Sequence, residues 1–146
     1  MALESFAFYV SLLRKDFTAY CFERFQELGI TRGQLFVLLC IHKKEECSPK
    51  DISAFLHLDA GQLNRILAKL LETGFIYQRK NEKDRRANIV CLTEKGENLV
   101  EESRSLFYEW DAKVLSSLEE GSRQNLMEAM KKISMDLHRE MEDKNE

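Results

Sequence analysis

The densest cluster of positive charge in this 146-residue chain lies between Arg79 and Arg86, where five basic side chains accompany two acidic ones. Guanidinium groups bind phosphate oxygens, and they also favour a narrow minor groove of DNA, where the negative potential is concentrated. We expect Arg85 and Arg86 to extend from a loop into such a groove. We also expect the Asp84 carboxylate to orient the Arg86 guanidinium through a bidentate salt bridge. A solvated turn with a surface ion pair worth less than ~1 kcal/mol is the alternative.

A second group of polar side chains follows a predicted helix start at Asp59. Gln62 and Asn64 can each form two hydrogen bonds with adenine, and Arg65 can bind guanine or a phosphate group. Gly61 costs a helix roughly 1 kcal/mol relative to alanine, so it either permits a close approach to DNA or is tolerated in the first turn. Together, the residues predicted to bind DNA are Gly61, Gln62, Asn64, Arg65, Lys69, Arg79, Lys80, Asp84, Arg85 and Arg86.

The charge of the chain is unevenly distributed along its length. Residues 29–93 carry eleven basic and seven acidic side chains, whereas residues 94–146 carry eight basic and fourteen acidic ones, within a net charge of −3. A basic segment within an acidic chain indicates an anionic partner for that segment alone.

Two helices are predicted in the first 43 residues of the chain. Apolar residues recur every three or four positions from Leu3 to about Leu28, which predicts a long amphipathic helix. Thr31 with Gln34 forms a capping box, in which each side chain bonds the other's backbone amide. This box starts a second helix that ends near Lys43 and is apolar almost all round, so we expect it to be buried on several sides.

Two shorter helices and a pair of strands follow. Ser48 and Asp59 cap helices that end near His57 and at Gly74, and two short helices joined so closely form a helix-turn-helix. The pattern then changes to two strand-like runs joined by the polar stretch 81–87. The predicted fold class is therefore mainly α with a small two-stranded β wing, which is a winged helix-turn-helix with long N- and C-terminal dimerisation helices.

The long helices before and after residues 31–93 carry apolar stripes. The winged lobe formed by residues 31–93 is too small to cover both stripes. Thr93 caps a long helix, and a break at residues 116–121 precedes a last one. Uncovered stripes of this length favour aggregation, so we expect a two-fold homodimer, against the alternative of a monomer whose terminal helices fold back. The predicted divisions are residues 1–30 for the N-terminal dimerisation helix, 31–93 for the DNA-binding domain and 94–146 for the C-terminal dimerisation helices.

Three sequence motifs carry a resemblance to a known family. They are T-R-G-Q-L-F-V-L at 31–38, L-L-E-T-G-F-I at 70–76 and D-R-R-A-N-I-V-C-L-T-E-K-G at 84–96. With these motifs the chain resembles the multiple-antibiotic-resistance regulator (MarR) family of bacterial transcription factors. The resemblance implies a triangular winged-helix homodimer that binds a short palindromic operator in duplex DNA, more often as a repressor than as an activator. The predicted recognition helix departs from the family, which more often has Ser and Thr there.

Other classes of protein are disfavoured by the sequence. The longest apolar run, Leu35–Ile41, is far shorter than the roughly 20 residues that cross a bilayer. No phosphate-binding loop, dinucleotide fingerprint, nucleophile elbow or zinc-protease motif is present, so neither an enzyme nor a cofactor is predicted. Four widely spaced cysteines favour free thiols in a reducing cytoplasm. His42, Glu45 and Cys47 lack the paired spacing of a metal site, and none is predicted.

The regulatory signal has several candidate sensors. The resemblance implies a possible small-molecule effector, and an inert Cys21 is favoured over a redox-sensing thiol because no basic residue is closely adjacent. A winged-helix adaptor that binds protein rather than DNA is a further alternative, and it predicts that Arg85 and Arg86 are dispensable. The aromatic residues considered as an effector pocket, with core packing as the commoner outcome, are Phe8, Tyr9, Phe17, Tyr20, Phe22, Phe25, Phe107, Tyr108 and Trp110.

Overall fold

The computed structural model describes residues 4–44 and 46–145. The predicted start of the first helix at Leu3, residue Glu45 and the side chain of Met141 lie outside the described parts. The elements are α1 (Phe6–Leu28), α2 (Arg32–Lys43), α3 (Pro49–Leu56), α4 (Ala60–Glu72), β1 (Ile76–Lys80), β2 (Asn88–Leu92), α5 (Glu94–Val114) and α6 (Glu120–Asn145). This order confirms the predicted class, a mainly helical winged helix-turn-helix with one antiparallel two-stranded sheet.

Local hydrogen bonds at the helix starts explain why the elements begin where they do. Thr31 Oγ1 accepts the backbone N–H of Gln34 at 3.1 Å, and Gln34 Oε1 accepts the N–H of Thr31 at 3.0 Å. Ser48 forms the same reciprocal box with Asp51 at the start of α3. These boxes satisfy amides that have no partner inside a helix, so the sequence alone fixes the helix starts.

The wing is the hairpin of β1, β2 and the loop between them, residues 76–92. A backbone bridge from Cys47, in the loop before α3, joins this hairpin to the helical core. In β1 and β2 the register pairs Ile76 with Leu92 at the base and Lys80 with Asn88 at the tip. The carbonyl of Cys47 accepts the backbone N–H of Val90 at 2.8 Å. This bridge ties the loop before α3 to β2, so the wing and the helix-turn-helix have a fixed relative position.

The hydrophobic core lies mainly inside the winged lobe. Leu35 and Leu38 of α2, Ile52 of α3 and Leu63 and Leu70 of α4 are almost fully buried. The predicted all-round burial of α2 holds for its middle turns, because α3, α4, α5 and β2 all pack against this helix.

A second, aromatic seam joins α1 to α5. The Phe17 ring lies 5.2 Å from Phe107 and 5.1 Å from Trp110, centroid to centroid, and Phe107 lies 6.4 Å from Phe36 of α2. The Trp110 indole N–H also donates to Asp16 Oδ2 at 2.9 Å. At these spacings the rings contact one another, so three members of the predicted aromatic set, Phe17, Phe107 and Trp110, act as packing.

One glycine permits the close approach of α5 to the wing. A Cβ on Gly96 would overlap the carbonyl oxygen of Phe75 and would lie 3.3 Å from Leu92 Cδ2. Thr93 reinforces the same junction, because its N–H donates to Phe75 O at 3.1 Å and its hydroxyl donates to Gly74 O at 2.6 Å. The L-T-E-K-G segment of the sequence therefore joins the wing to α5.

We expect Gly96→Ala to lower the free energy of unfolding by about 1–3 kcal/mol, because the backbone of Phe75 must move to admit a methyl group. Chemical denaturation at a fixed protein concentration measures this change. Gly121→Ala is the matched control: its Cβ would meet nothing within 4 Å, and alanine favours the helix. Equal stability of the two variants would contradict the tight junction.

The outer surfaces of the terminal helices are unusually apolar. On α1 the exposed large apolar side chains are Phe6, Phe8, Tyr9, Val10, Leu12, Leu13 and Phe22, and on α6 they are Leu126, Met127, Met130, Ile133, Met135 and Leu137. Although α1 packs on α5 and α6 packs on α3, both helices keep these side chains in solvent. No helix in the described part of the chain combines the length and apolarity that a membrane span requires.

Candidate nucleic-acid interface

The candidate interface is built on α4 and the wing, which pack against each other within one lobe. Leu63, Leu67 and Leu70 bury one face of α4 in the core, so the polar positions between them are turned outward. All ten residues predicted to bind DNA are exposed in the structure. Winged-helix proteins bind duplex DNA with such an arrangement, in which a helix packed on the core presents a polar face and a hairpin lies beside it.

The first turn of α4 combines capping with polar groups that are able to read bases. Gln62 Oε1 accepts the N–H of Asp59 at 3.2 Å, while Asp59 Oδ1 accepts the N–H of Gln62 at 2.8 Å. Gln62 must leave this capping box to give both of its polar atoms to adenine. Asn64, two residues further along α4, is exposed, and its side-chain amide forms no such hydrogen bond among the described residues.

Gly61 lies under the side chain of Arg65. A Cβ at Gly61 would lie 3.3 Å from Asp59 Oδ1 and 3.7 Å from the Arg65 guanidinium. The guanidinium therefore reaches back over the first turn of α4, toward the end where the helix dipole is positive. Glycine leaves room there both for the cap and for a backbone that approaches a partner closely.

The wing tip is a closed turn that presents Arg85 and Arg86 to solvent. The loop is closed by a hydrogen bond from Asn81 N–H to Ala87 O at 3.0 Å. Asp84 Oδ1 accepts the backbone N–H of Arg86 at 3.1 Å, and Asp84 O accepts that of Ala87 at 3.0 Å. The prediction that Asp84 pairs with the guanidinium of Arg86 is wrong for this structure: the carboxylate accepts the backbone N–H of Arg86 and forms no ion pair with its side chain.

The cationic residues predicted to bind DNA differ in whether they form ion pairs within the protein. Arg79 Nη2 lies 3.5 Å from Glu46 Oε1, and hydrogen bonds to the Cys91 thiol and then to Glu46 raise the pKa of Arg79. Lys69 Nζ lies 3.6 Å from Glu72. Among the side chains that the structure describes, no carboxylate oxygen lies within 4.0 Å of the charged groups of Arg65, Lys80, Arg85 and Arg86.

A polar contact between α2 and α5 escaped the sequence-based prediction. His42 Nδ1 lies 2.9 Å from Glu97 Oε2, and Arg104 Nη2 lies 3.4 Å from His42 Nε2. This contact fixes the winged lobe against the helix that leaves it. No local pattern marks the contact, because its partners are 55 and 62 residues apart in the chain.

Two other kinds of site were considered from the sequence, a redox-active thiol at Cys21 and a metal site. Cys21 is fully buried, and burial raises the pKa of its thiol, which disfavours the reactive thiolate. Among the described residues, no three His, Cys, Asp or Glu side chains come together in a way that could hold a metal ion. Of the three residues weighed and rejected as a metal site from the sequence, His42, Glu45 and Cys47, Glu45 lies outside the described residues.

Comparison with known proteins adds independent evidence. A family model described as "MarR family" matches residues 30–87. The chain is 42% identical over 130 residues to the HTH-type transcriptional regulator BilQ of Clostridium symbiosum, which covers 89% of this chain and 90% of the relative.

Solved structures share the fold along almost the whole chain. A MarR transcriptional regulator from Methanosarcina mazei Go1 superposes with a TM-score of 0.80 at 25% identity, covering 89% of this chain and 94% of the other. A DNA complex of MepR from S. aureus superposes with a TM-score of 0.75 at 19% identity, covering 92% of this chain and 99% of that one, and this likeness concerns the fold alone.

Proposed function

Since the chain belongs to the MarR family of DNA-binding transcriptional regulators, we propose that it acts as a homodimer whose two winged lobes bind one palindromic operator and repress the adjacent genes. A small-molecule or stress signal releases the operator. The observation that carries the DNA-binding mode is the pair of exposed guanidinium groups, Arg85 and Arg86, which form no ion pair among the described side chains and lie at the tip of a wing tied to the core by the Cys47–Val90 hydrogen bond. MepR, which shares the fold, has been solved in complex with DNA.

The homodimer is supported by the apolar surfaces of α1 and α6. Phe6 and Leu13 on α1 are 59% and 49% exposed, and Ile133 on α6 is 40% exposed. These values argue against the alternative monomer, because terminal helices that folded back on their own lobe would bury such stripes. A second copy of the chain offers the same surfaces and can cover both in a two-fold arrangement.

The two lobes of such a dimer would place two α4 helices in successive major grooves, about 34 Å apart along the duplex. Each wing would then follow the backbone to the neighbouring minor groove, where a guanidinium is favoured by the local potential. Repression follows from steric exclusion, since a compact dimer over a promoter blocks polymerase without any additional contact surface. A promoter–reporter assay with and without the regulator gene would show derepression on deletion.

The dependence of DNA affinity on salt tests the proposed interface. After selection of a duplex from a random pool, we expect the log of the association constant to fall with log salt concentration at a slope of about −4 to −7. The upper value corresponds to phosphate contacts by Arg65, Lys80, Arg85 and Arg86 in each protomer, at roughly 0.9 counterions per phosphate contact. A slope near zero, or no preferred duplex, would favour the protein adaptor. Fluorescence anisotropy between ~50 and ~200 mM salt supplies the measurement.

A further inference from the structure

Two cysteine thiols lie in contact inside the winged lobe, away from the exposed surface that is proposed to bind DNA. Cys40 lies in the last turn of α2, and Cys47 lies in the loop before α3. Cys40 is 4% exposed and Cys47 is fully buried, and a side-chain hydrogen bond joins the two thiols. Two sulfur atoms that are close enough to share a proton are also close enough to share one small metal ion.

The chemistry of this pair favours a soft cation. Thiolate sulfur selects Cu⁺ and other soft ions, whereas Mg²⁺ and Ca²⁺ prefer oxygen ligands. Zn²⁺ almost always takes four ligands in structural sites. Among the described residues, no third His, Cys, Asp or Glu side chain joins the two cysteines to complete such a set. Two thiolates alone are sufficient for a monovalent ion such as Cu⁺ or Ag⁺, which is stable with two ligands in line.

The charges around the pair can stabilise such a complex. Two thiolates with one monovalent cation carry a net negative charge, which is costly inside a protein unless a positive charge lies nearby. Lys43 and Lys44, at the end of α2, favour the anionic form of Cys40, and Asp51 opposes it. The Asp51 carboxylate also accepts hydrogen bonds from the backbone N–H and the hydroxyl of Ser48. Two cations and one carboxylate thus leave a positive balance beside the sulfur atoms.

We propose that Cys40 and Cys47 bind one Cu⁺ ion as a two-coordinate complex of two thiolates. Two S–H bonds break and two S–Cu bonds form, both protons pass to solvent, and copper and sulfur keep their oxidation states. The ion occupies the position that the hydrogen bond between the thiols has in the structure.

The pair is joined directly to the wing. The carbonyl of Cys47 accepts the backbone N–H of Val90 of β2 at 2.8 Å, and Ser48, the next residue, caps α3. An ion that fixes Cys47 against α2 therefore acts on the junction that positions the wing relative to the helix-turn-helix. A changed operator affinity is the regulatory consequence, and it rests on the proposed function, whereas the metal site itself does not.

Anaerobic titration of the full-length protein with Cu⁺, in competition with the colorimetric chelator bathocuproine disulfonate, tests the site. We expect one Cu⁺ per chain, and an excess of Zn²⁺ should leave this binding unchanged because two ligands do not satisfy zinc. X-ray absorption of the copper complex should show two sulfur ligands. Failure to take copper from the chelator, displacement of copper by zinc, or a nitrogen or oxygen ligand overturns the proposal.

Cysteine variants locate the ion. Cys21→Ala combined with Cys91→Ser leaves only the proposed pair, and this variant should bind Cu⁺ within twofold of the wild-type affinity. Cys40→Ala should weaken binding at least a hundredfold. Loss of binding in the Cys21/Cys91 variant overturns the site, as does retained binding in the Cys40 variant. Circular dichroism checks folding, and the Cys21/Cys91 variant decides the question even when truncation of the buried Cys40 unfolds the lobe.

Operator affinity separates this proposal from the proposed function. One equivalent of Cu⁺ should change the operator affinity of the Cys21/Cys91 variant at least threefold, and the Cys40→Ala variant should not respond to copper. An unchanged affinity of the Cys21/Cys91 variant overturns the regulatory part. Copper binding by a protein that binds no duplex refutes the proposed function alone.

Discussion

Arg86→Ala is expected to weaken binding of the selected duplex at least tenfold, equivalent to about 1.4 kcal/mol or more per dimer. The guanidinium is exposed at the tip of the wing, and among the described side chains no carboxylate forms an ion pair with it. Its removal would therefore cost the proposed interaction with the minor groove without breaking an ion pair of the folded protein. Fluorescence anisotropy at ~100 mM salt measures the change.

A matched control is available on α1. Arg24→Ala removes the same charged group from a surface pair with Glu27, 3.0 Å away, and should change affinity less than twofold. An Arg86→Ala variant that binds as tightly as the Arg24→Ala variant would refute the role of the wing and support the adaptor. Arg86→Lys should retain part of the affinity, because the charge remains while the planar guanidinium is lost.

Two substitutions at Asp84 distinguish the observed turn from the ion pair predicted from sequence. Asp84→Asn keeps an oxygen that can accept the N–H of Arg86, so the turn and the DNA affinity should be retained. Asp84→Ala removes that acceptor and should lower the affinity several-fold. If Asp84→Asn and Asp84→Ala weaken binding equally, then the carboxylate charge matters and the guanidinium pairing becomes the better account.

The largest expected effect concerns assembly. Leu13→Glu combined with Ile133→Glu places charges on both apolar stripes, and we expect the particle mass to fall from twice the 17.1-kDa chain to that of one chain. Burying two carboxylates in the proposed apolar interface would cost several kcal/mol, which opposes association of the two chains. Operator affinity should then fall more than a hundredfold, because the second lobe no longer binds at high effective concentration.

Light scattering combined with size-exclusion chromatography measures the mass. Leu71→Glu is the control: it charges a leucine of the winged lobe that is 39% exposed, and the protein should remain dimeric. A wild-type chain that is monomeric at micromolar concentration, or a double variant that remains dimeric, would contradict the assignment of α1 and α6 to the interface.

The regulatory alternatives also separate on physical grounds. Redox sensing through Cys21 requires an accessible thiolate, and this thiol is buried in the core with a raised pKa. The aromatic rings of the α1–α5 seam contact one another, so they pack the junction of these helices instead of lining an open pocket. Each of these conclusions depends on which residues lie together rather than on which residues are present.

The amino-acid sequence by itself determined the order of the elements and most of their ends. Thr31, Ser48, Asp59 and Thr93 start helices through hydrogen bonds to residues three positions away, and such bonds are encoded locally. The polar face of α4 follows in the same way, since the spacing of Leu63, Leu67 and Leu70 fixes which positions turn outward.

Only the tertiary structure decided how these elements meet. The backbone hydrogen bond between Cys47 and Val90, the contact of His42 with Glu97 and the edge-to-face contact of Phe55 with His138 join residues 43, 55 and 83 positions apart. No hydrophobic period or capping motif encodes such pairs, because they depend on the relative placement of whole helices, which the packing of the core sets. The exposed position of Arg86 at the closed tip of the wing is therefore a property of the folded chain.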